Sequence, residues 1–287
     1  IHISSSNKNS EISNKMKKIE DNFNESLPTY DKEFIKKQNY TDVLKTISSF
    51  DPSIKSFSQK INHYIKRLSN NLEPIYLNVG KTKIRLIQNR LHNSFEIKKR
   101  EQFLDNYAEK TLQDEKFLYF PLQSEPEASI LFNTPFYSNQ INLIETIAKS
   151  IPINYVLYVK EHPLQKIKLW RSIEDYKKIR NIPNVRFLHP SVNAQEVLEK
   201  SQGVIAISGA TGFEALFYHK PVFLFGDEYY DKLSMVTKIE TFDELSYKIQ
   251  NTLSNFEFNE KELSILFKVL KEFALPIPYY SILKDGV

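Results

Sequence analysis

The chain has 287 residues, a net charge of +4 and 41% hydrophobic residues, so it is long enough for one large or two ordinary domains with substantial cores. It contains no cysteine, which excludes disulfides, thiolate catalysis and cysteine-type zinc sites and fits a reducing compartment. No apolar run reaches the length needed to span a bilayer, and the polar opening segment lacks the apolar core of a signal peptide.

Charge is unevenly placed. Up to Gln113 there are 20 Lys+Arg against 13 Asp+Glu, and beyond it 19 against 22. The basic half suits either an anionic membrane surface or a set of solvated helices. No aromatic-interleaved basic module appears, so no nucleic-acid partner is expected. The expected location is cytoplasmic, with a peripheral place at the inner face of a membrane as the variant. Because the chain begins with Ile1, an upstream portion is expected to be missing.

Residues 1–29 are rich in Ser, Asn, Lys and Glu with few apolar anchors, the composition of a flexible polar arm. Residues 30–115 read as a helical region. Val43, Leu44 and Ile47 recur at helical spacing, as do Phe57, Ile61, Tyr64, Ile65 and Leu68. A longer amphipathic stretch from Lys81 to Lys110 carries Ile84, Ile87, Leu91, Phe95 and Phe103. Its Lys98-Lys99-Arg100 run reads as a wet helix face.

From Phe117 the pattern changes. Strand-like runs at Phe117–Leu122, Asn154–Lys160, Asn184–Leu188, Gly203–Ile207 and Lys220–Phe225 alternate with helical patterns at Gln140–Lys149, Leu169–Arg180, Ala194–Lys200 and from about Phe213. That alternation predicts βαβ units on a parallel sheet. The expected fold is therefore α/β: a Rossmann-like parallel-sheet domain over residues 116–256, preceded by the helical region. Helical patterns return at Phe242–Ser254 and Glu260–Phe273, and residues 257–287 read as a C-terminal helix and tail.

In open parallel sheets, ligands sit outside the carboxyl ends of the strands, and four polar groups fall there. Gln123-Ser124-Glu125-Pro126-Glu127 follows the first strand; it reads equally as a sugar-binding or base-supplying turn and as a plain polar loop. Lys160-Glu161-His162-Pro163 follows the second. Here His162 can donate to a phosphate oxygen, Lys160 can offset charge on a leaving group, and Pro163 holds His162 extended.

Ser208 to Glu214 joins the fourth strand to a helix. The backbone N–H groups of Gly209 to Gly212, with the Ser208 and Thr211 hydroxyls and Thr211 near the N-cap, make a phosphate-binding turn. Glu214 is placed either to accept from ribose hydroxyls or to complement the helix dipole. Last, Gly226-Asp227-Glu228-Tyr229-Tyr230 follows the fifth strand, where Tyr230 suits covering a base or sugar and an ordinary acidic loop is the alternative. There is no P-loop, no dinucleotide fingerprint, no metal-spaced His pair and no G-x-S-x-G elbow. No cofactor or metal is expected.

The pieces FPLQSEPEASI, Asn139-Gln140, YVKEHPLQ, IPNVRFL and SGATGFEALFYHKPVFLFGDEYY, in this order, resemble the C-terminal half of capsule polysaccharide biosynthesis and export proteins. That family includes Kdo transferases and related surface-carbohydrate glycosyltransferases. The resemblance spans about Phe117 to Leu245 and implies a GT-B architecture of two Rossmann-like domains, of which this would be the nucleotide-sugar-binding one.

Carried onto this chain, it implies that His162 and the Ser208–Gly212 turn contact the donor phosphate and that Glu214 lies near the ribose. Gln123, Lys160 and Tyr230 complete the expected donor site, with His162 and Glu127 as catalytic candidates. The expected partners are a nucleotide-activated sugar, cytidine-based as in CMP-Kdo, and a glycan or glycolipid acceptor, with contact to the membrane or export machinery. The alternatives are a non-catalytic nucleotide-binding or assembly module and a CDP-glycerol-type phosphotransferase. No first Rossmann domain is legible before Phe117: either it lies upstream or helices replace it.

Overall fold

A computed structural model of the chain describes residues 83–126, 129–166 and 170–273. The expected polar arm, the helical spacings between Tyr30 and Leu68, and the tail after Phe273 lie outside the described residues.

Helix α1 (Lys83–Tyr107) opens the described chain. Six strands follow: β1 (Phe117–Pro121), β2 (Val156–Lys160), β3 (Val185–Leu188), β4 (Gly203–Ala206), β5 (Val222–Leu224) and β6 (Val236–Lys238). All pair in parallel, in the order β3-β2-β1-β4-β5-β6. The intervening helices are α2 (Gln140–Ser150), α3 (Ile173–Arg180), α4 (Ala194–Lys200) and α5 (Ala210–Phe217); α6 (Leu245–Asn255) and α7 (Glu260–Phe273) close the chain. This is the doubly wound arrangement of a Rossmann-like domain.

Most strand side chains find apolar cover because both faces of the sheet are buried. Leu118, Phe120, Leu157, Val159, Ile205 and Phe223 point to a core shared with α2, α3, α6 and the end of α1. Their alternates Phe117, Tyr119, Tyr158, Val204, Ala206 and Leu224 face α4, α5 and α7. The period of two puts neighbouring residues on opposite faces, and apolar runs without alternating polar residues are the sequence form of that placement.

Several boundaries depart from the expectation. α5 begins at Ala210, not near Phe213, and its N-cap is Gly209 at φ 93°, not Thr211. Glycine tolerates that positive φ and lets the chain enter the helix directly from the strand. α3 starts only after Ser172, whose hydroxyl accepts from the Asp175 N–H at 3.1 Å; just before it, Trp170 stands at φ 59°, which interrupts helix formation. β6 was not expected at all.

The stripe of α1 is only half used. Leu91 and Phe95 are 68% and 64% exposed, whereas Leu104 and Ala108 beyond it are buried in the sheet's first core. Past α1, the Glu109 N–H donates to Phe187 O and the His189 N–H to Glu109 O, both at 2.8 Å, so Glu109 runs along the outer edge of β3. Residues 104–109 therefore pack as part of the sheet domain, inside the expected helical region, and α7 packs with it through Leu263, Leu266 and Val269.

Candidate functional site

The chain leaves β1 outward through β2 and β3, then returns to place β4 on the other side of β1. The two connections diverge at that point, and sheets of this kind take ligands in a crevice beyond the carboxyl ends of the strands at such a switch point, here β1 and β4. Gln123 stands in it. Its amide Nε2 donates to Ser208 O at 2.5 Å and to Ser208 Oγ at 3.1 Å, joining the loop after β1 to the turn after β4. β2 is the other neighbour of β1, so Lys160 and His162 flank Gln123 on the opposite side from Ser208.

The Gly209 turn is exposed at Gly209 and Ala210, whereas Ser208 and Gly212 are buried and Thr211 is half-buried in the first helical turn. The Gly209 N–H points to the Glu228 carboxylate, so an acidic group already occupies one of the donors at the start of α5. Tyr230 lies behind the turn. Its ring is 1% exposed and its hydroxyl donates to Gly209 O at 2.8 Å. Covering a base or sugar is thus not the role its position allows; it supports the backbone of the turn. A Cβ on Gly212 would sit 2.5 Å from that hydroxyl, which is why the position is glycine.

Glu214 is half-buried, one turn into α5. Burial raises its pKa, and it makes no hydrogen bond among the described residues. Lys160 is 4% exposed. Burial lowers its pKa to about 8, against the pull of Glu161, and its ammonium likewise has no hydrogen-bond acceptor among the described residues. A desolvated cation and a desolvated carboxylate, both without such bonds, are suited to ligand groups of opposite character: an anionic oxygen for the first, hydroxyls for the second. Glu127 lies outside the described residues.

Residues not singled out from the sequence hold the crevice in shape. Gln140, the first residue of α2, accepts from the Gln123 N–H at 2.8 Å and donates to Gln123 O at 3.1 Å. Gln165 accepts from the Glu125 N–H at 2.8 Å and donates to Glu125 O at 3.1 Å. Glu161, 1% exposed, accepts from the His162 N–H at 2.8 Å, the Tyr176 hydroxyl at 3.0 Å and Arg171 Nε at 2.9 Å. Burial raises its pKa, while Arg171, His162 and Tyr176 pull it down. Gln140 and Gln165 stood inside the recognised pieces of sequence without a role; Arg171 carried no sequence signal.

A cavity of about 580 Å³ lies elsewhere, lined by residues 109–111 and 113–115 ahead of β1 and by Arg186 of β3. It shares no residue with the crevice. Among the described residues no group of His, Asp or Glu is placed to hold a metal ion, and no helix is long and apolar enough to cross a membrane.

The profile of the capsule polysaccharide biosynthesis protein family matches residues 15–251. The chain belongs to that family. The match takes in most of the basic N-terminal part as well as the sheet. A comparison with curated proteins returned no match. Among solved structures, the chain is similar to the KpsC β-Kdo 2,7 transferase of Thermosulfurimonas dismutans, at 20% identity and a TM-score of 0.39 over 67% of this chain and 56% of that one. The β-Kdo 2,4 transferase of the same KpsC matches at 14% identity and a TM-score of 0.38, over 60% and 54%. The UDP-GlcNAc 2-epimerase of Methanocaldococcus jannaschii, in complex with UDP-GlcNAc and UDP, gives 14% and 0.38 over 63% and 51%. The chain spans about half the length of these structures.

Proposed function

We propose that this member of the capsule polysaccharide biosynthesis family binds a nucleotide-activated sugar in the crevice between β1 and β4 and serves a glycosyltransferase of GT-B type. The observation that carries the reading is the Gln123–Ser208 bridge across the switch point of the sheet, set beside the Gly209 turn that opens α5. Parallel sheets take ligands at that place, and a helix N-terminus favours a phosphate.

In this reading the Ser208–Gly212 turn and His162 hold the donor phosphate, and the Lys160 ammonium neutralises charge on it. Glu214 accepts from ribose hydroxyls. Transfer breaks the bond between the sugar's anomeric carbon and the phosphate oxygen, and the acceptor oxygen forms the new one. The electron pair of the broken bond departs with the nucleotide, where His162, Lys160 and the helix N-terminus stabilise it. The proton lost by the acceptor goes to a base, for which Glu127 is the candidate on this chain. The proposed donor is activated by a cytidine nucleotide, and the proposed acceptor is a glycan or glycolipid.

Calorimetric titration of the full chain with CMP, CDP and UDP tests this. Wild-type protein binds at least one of them, and His162→Ala weakens that binding tenfold or more with an unchanged melting temperature. Equal affinity in the variant removes His162 from the site. No binding by folded wild-type protein removes the reading altogether.

A further inference from the structure

The loop after β1 is held by polar side chains to an unusual degree. Gln140 takes both backbone groups of Gln123 and Gln165 both backbone groups of Glu125. The two glutamines are 1% and 3% exposed, and buried amides of this kind fix a single geometry because each unmade bond is costly. Arg171 joins them from the far side of the segment between β2 and α3. Its side chain is 5% exposed, and its three nitrogens go to three different places: Nε to Glu161 at 2.9 Å, Nη1 to Glu125 at 2.5 Å and Nη2 to Gln123 O at 2.5 Å.

Glu161 and Glu125 stand in different loops. Through Glu161, whose other oxygen accepts the His162 N–H, Arg171 reaches the backbone that carries His162. Through Glu125 and Gln123 O, it reaches the loop that carries the Gln123 amide. One planar guanidinium thus ties together the loops that leave β1 and β2. Lysine cannot reproduce this, since its ammonium is a single point on a flexible stem.

The approach of Arg171 is itself built in. Trp170 stands at φ 59°, its N–H donates to Gln165 O at 2.8 Å, and its carbonyl accepts from Arg100 Nη1 of α1 at 3.0 Å. Tyr176 in α3 completes the surround by accepting from the Arg171 N–H at 3.1 Å while its hydroxyl donates to Glu161.

We infer that Arg171 is a positioning residue of the donor site, holding Gln123 and His162 at the separation a single nucleotide-sugar phosphate requires. This rests on the nucleotide-binding reading of the crevice. Arg171 touches no ligand itself; its contribution is the relative placement of two groups that do.

The test uses the full chain with two variants, Arg171→Lys and the double change Glu161→Gln with Arg171→Met. The double change removes Glu161 and Arg171 together, so neither is left buried without the other, and the new side-chain amide still offers an oxygen to the Tyr176 hydroxyl or the His162 N–H. Melting temperature, and calorimetric affinity for whichever of CMP, CDP and UDP the wild-type protein binds, are read for each. The double variant melts within a few degrees of wild type, and both variants bind the nucleotide at least tenfold more weakly.

Arg171→Met alone adds a readout that mere loss of packing would not move. Its Glu161 loses the guanidinium partner, so as that carboxyl ionises affinity falls more steeply with rising pH than in wild type; the double variant shows only the wild-type slope. Affinity within twofold of wild type in a folded Arg171→Lys or double variant overturns the inference, and so does a pH profile for Arg171→Met no steeper than that of wild type. Wild-type binding, measured first, keeps these outcomes separate from failure of the nucleotide-binding reading.

Discussion

Replacing Gly212 by alanine probes the wall of the turn directly. The added Cβ would lie 2.5 Å from the Tyr230 hydroxyl oxygen and 3.2 Å from both Tyr230 Cζ and Val222 Cγ1. The hydroxyl must move, and its bond to Gly209 O, 2.8 Å long, is lost with it. The displaced ring is 1% exposed, so there is no open space to receive it. Overpacking costs about 1–3 kcal/mol and the lost hydrogen bond about 1 kcal/mol. Against these, alanine in a helix gains about 1 kcal/mol over glycine.

The net expectation is a destabilisation of about 1–3 kcal/mol, the sum of those three contributions. Tyr230→Phe alone removes the hydroxyl and costs about 1 kcal/mol. In the double variant the atom that clashes is gone, leaving only 3.2 Å contacts that a few tenths of an ångström relieve. Its stability therefore lies near that of Tyr230→Phe, and the cycle shows a coupling of about 1–3 kcal/mol, far above the scatter of independent sites. Urea denaturation of wild type, both singles and the double gives the four free energies. Additivity of the two single effects would refute the packing argument, and so would a Gly212→Ala variant as stable as wild type.

Two further outcomes follow from buried groups. Lys160 has a folded pKa of about 8 set by burial, below its unfolded value, so it is destabilising while charged. That penalty, about 3 kcal/mol from a shift of this size, fades as pH rises through the folded pKa towards the unfolded one. Lys160→Met should melt higher than wild type near neutral pH and no higher once the free lysine pKa is passed, while binding nucleotide more weakly. A lower melting temperature for the variant near pH 7 contradicts this. At Gly226 a Cβ would sit 2.6 Å from Ile207 O and 2.7 Å from Thr134 Cγ2. Because backbone cannot yield as a side chain can, Gly226→Ala should cost upwards of about 2 kcal/mol in the same urea assay; a neutral result removes the claim.

The parts of the fold legible in the sequence were those with strong local signals. Five of the strands are apolar runs that need no partner to be recognised, and the helix expected at Ala194–Lys200 has those bounds in the structure, where Asn193 caps its start. β6 escaped because only Val236 of its three residues is buried; pairing with β5, not its own pattern, makes it a strand. The early start of α5 depended on the conformation of one glycine.

Within the site, the strand-end residues could be placed once the sheet order was assumed. The clamps could not. Gln140, Gln165 and Arg171 act on residues 17, 40 and 48 positions away, and nothing in a Gln or an Arg distinguishes a buried bridge from a wet side chain. Tyr230 shows the converse: its position at a strand end suggested ligand contact, and its burial assigns it to the support of the turn.

The segment after α1 has a consequence for how the protein can be dissected. β3 ends the sheet on one side, and an open strand edge invites pairing with another chain. Glu109 supplies that edge with its backbone partners, while Leu104 and Ala108 fill the core beneath it. A fragment cut just ahead of β1 would keep every strand and every residue of the crevice, yet expose raw backbone and an apolar gap together. It would be the sticky version of the same domain, and the place to begin a minimal piece is therefore the start of α1.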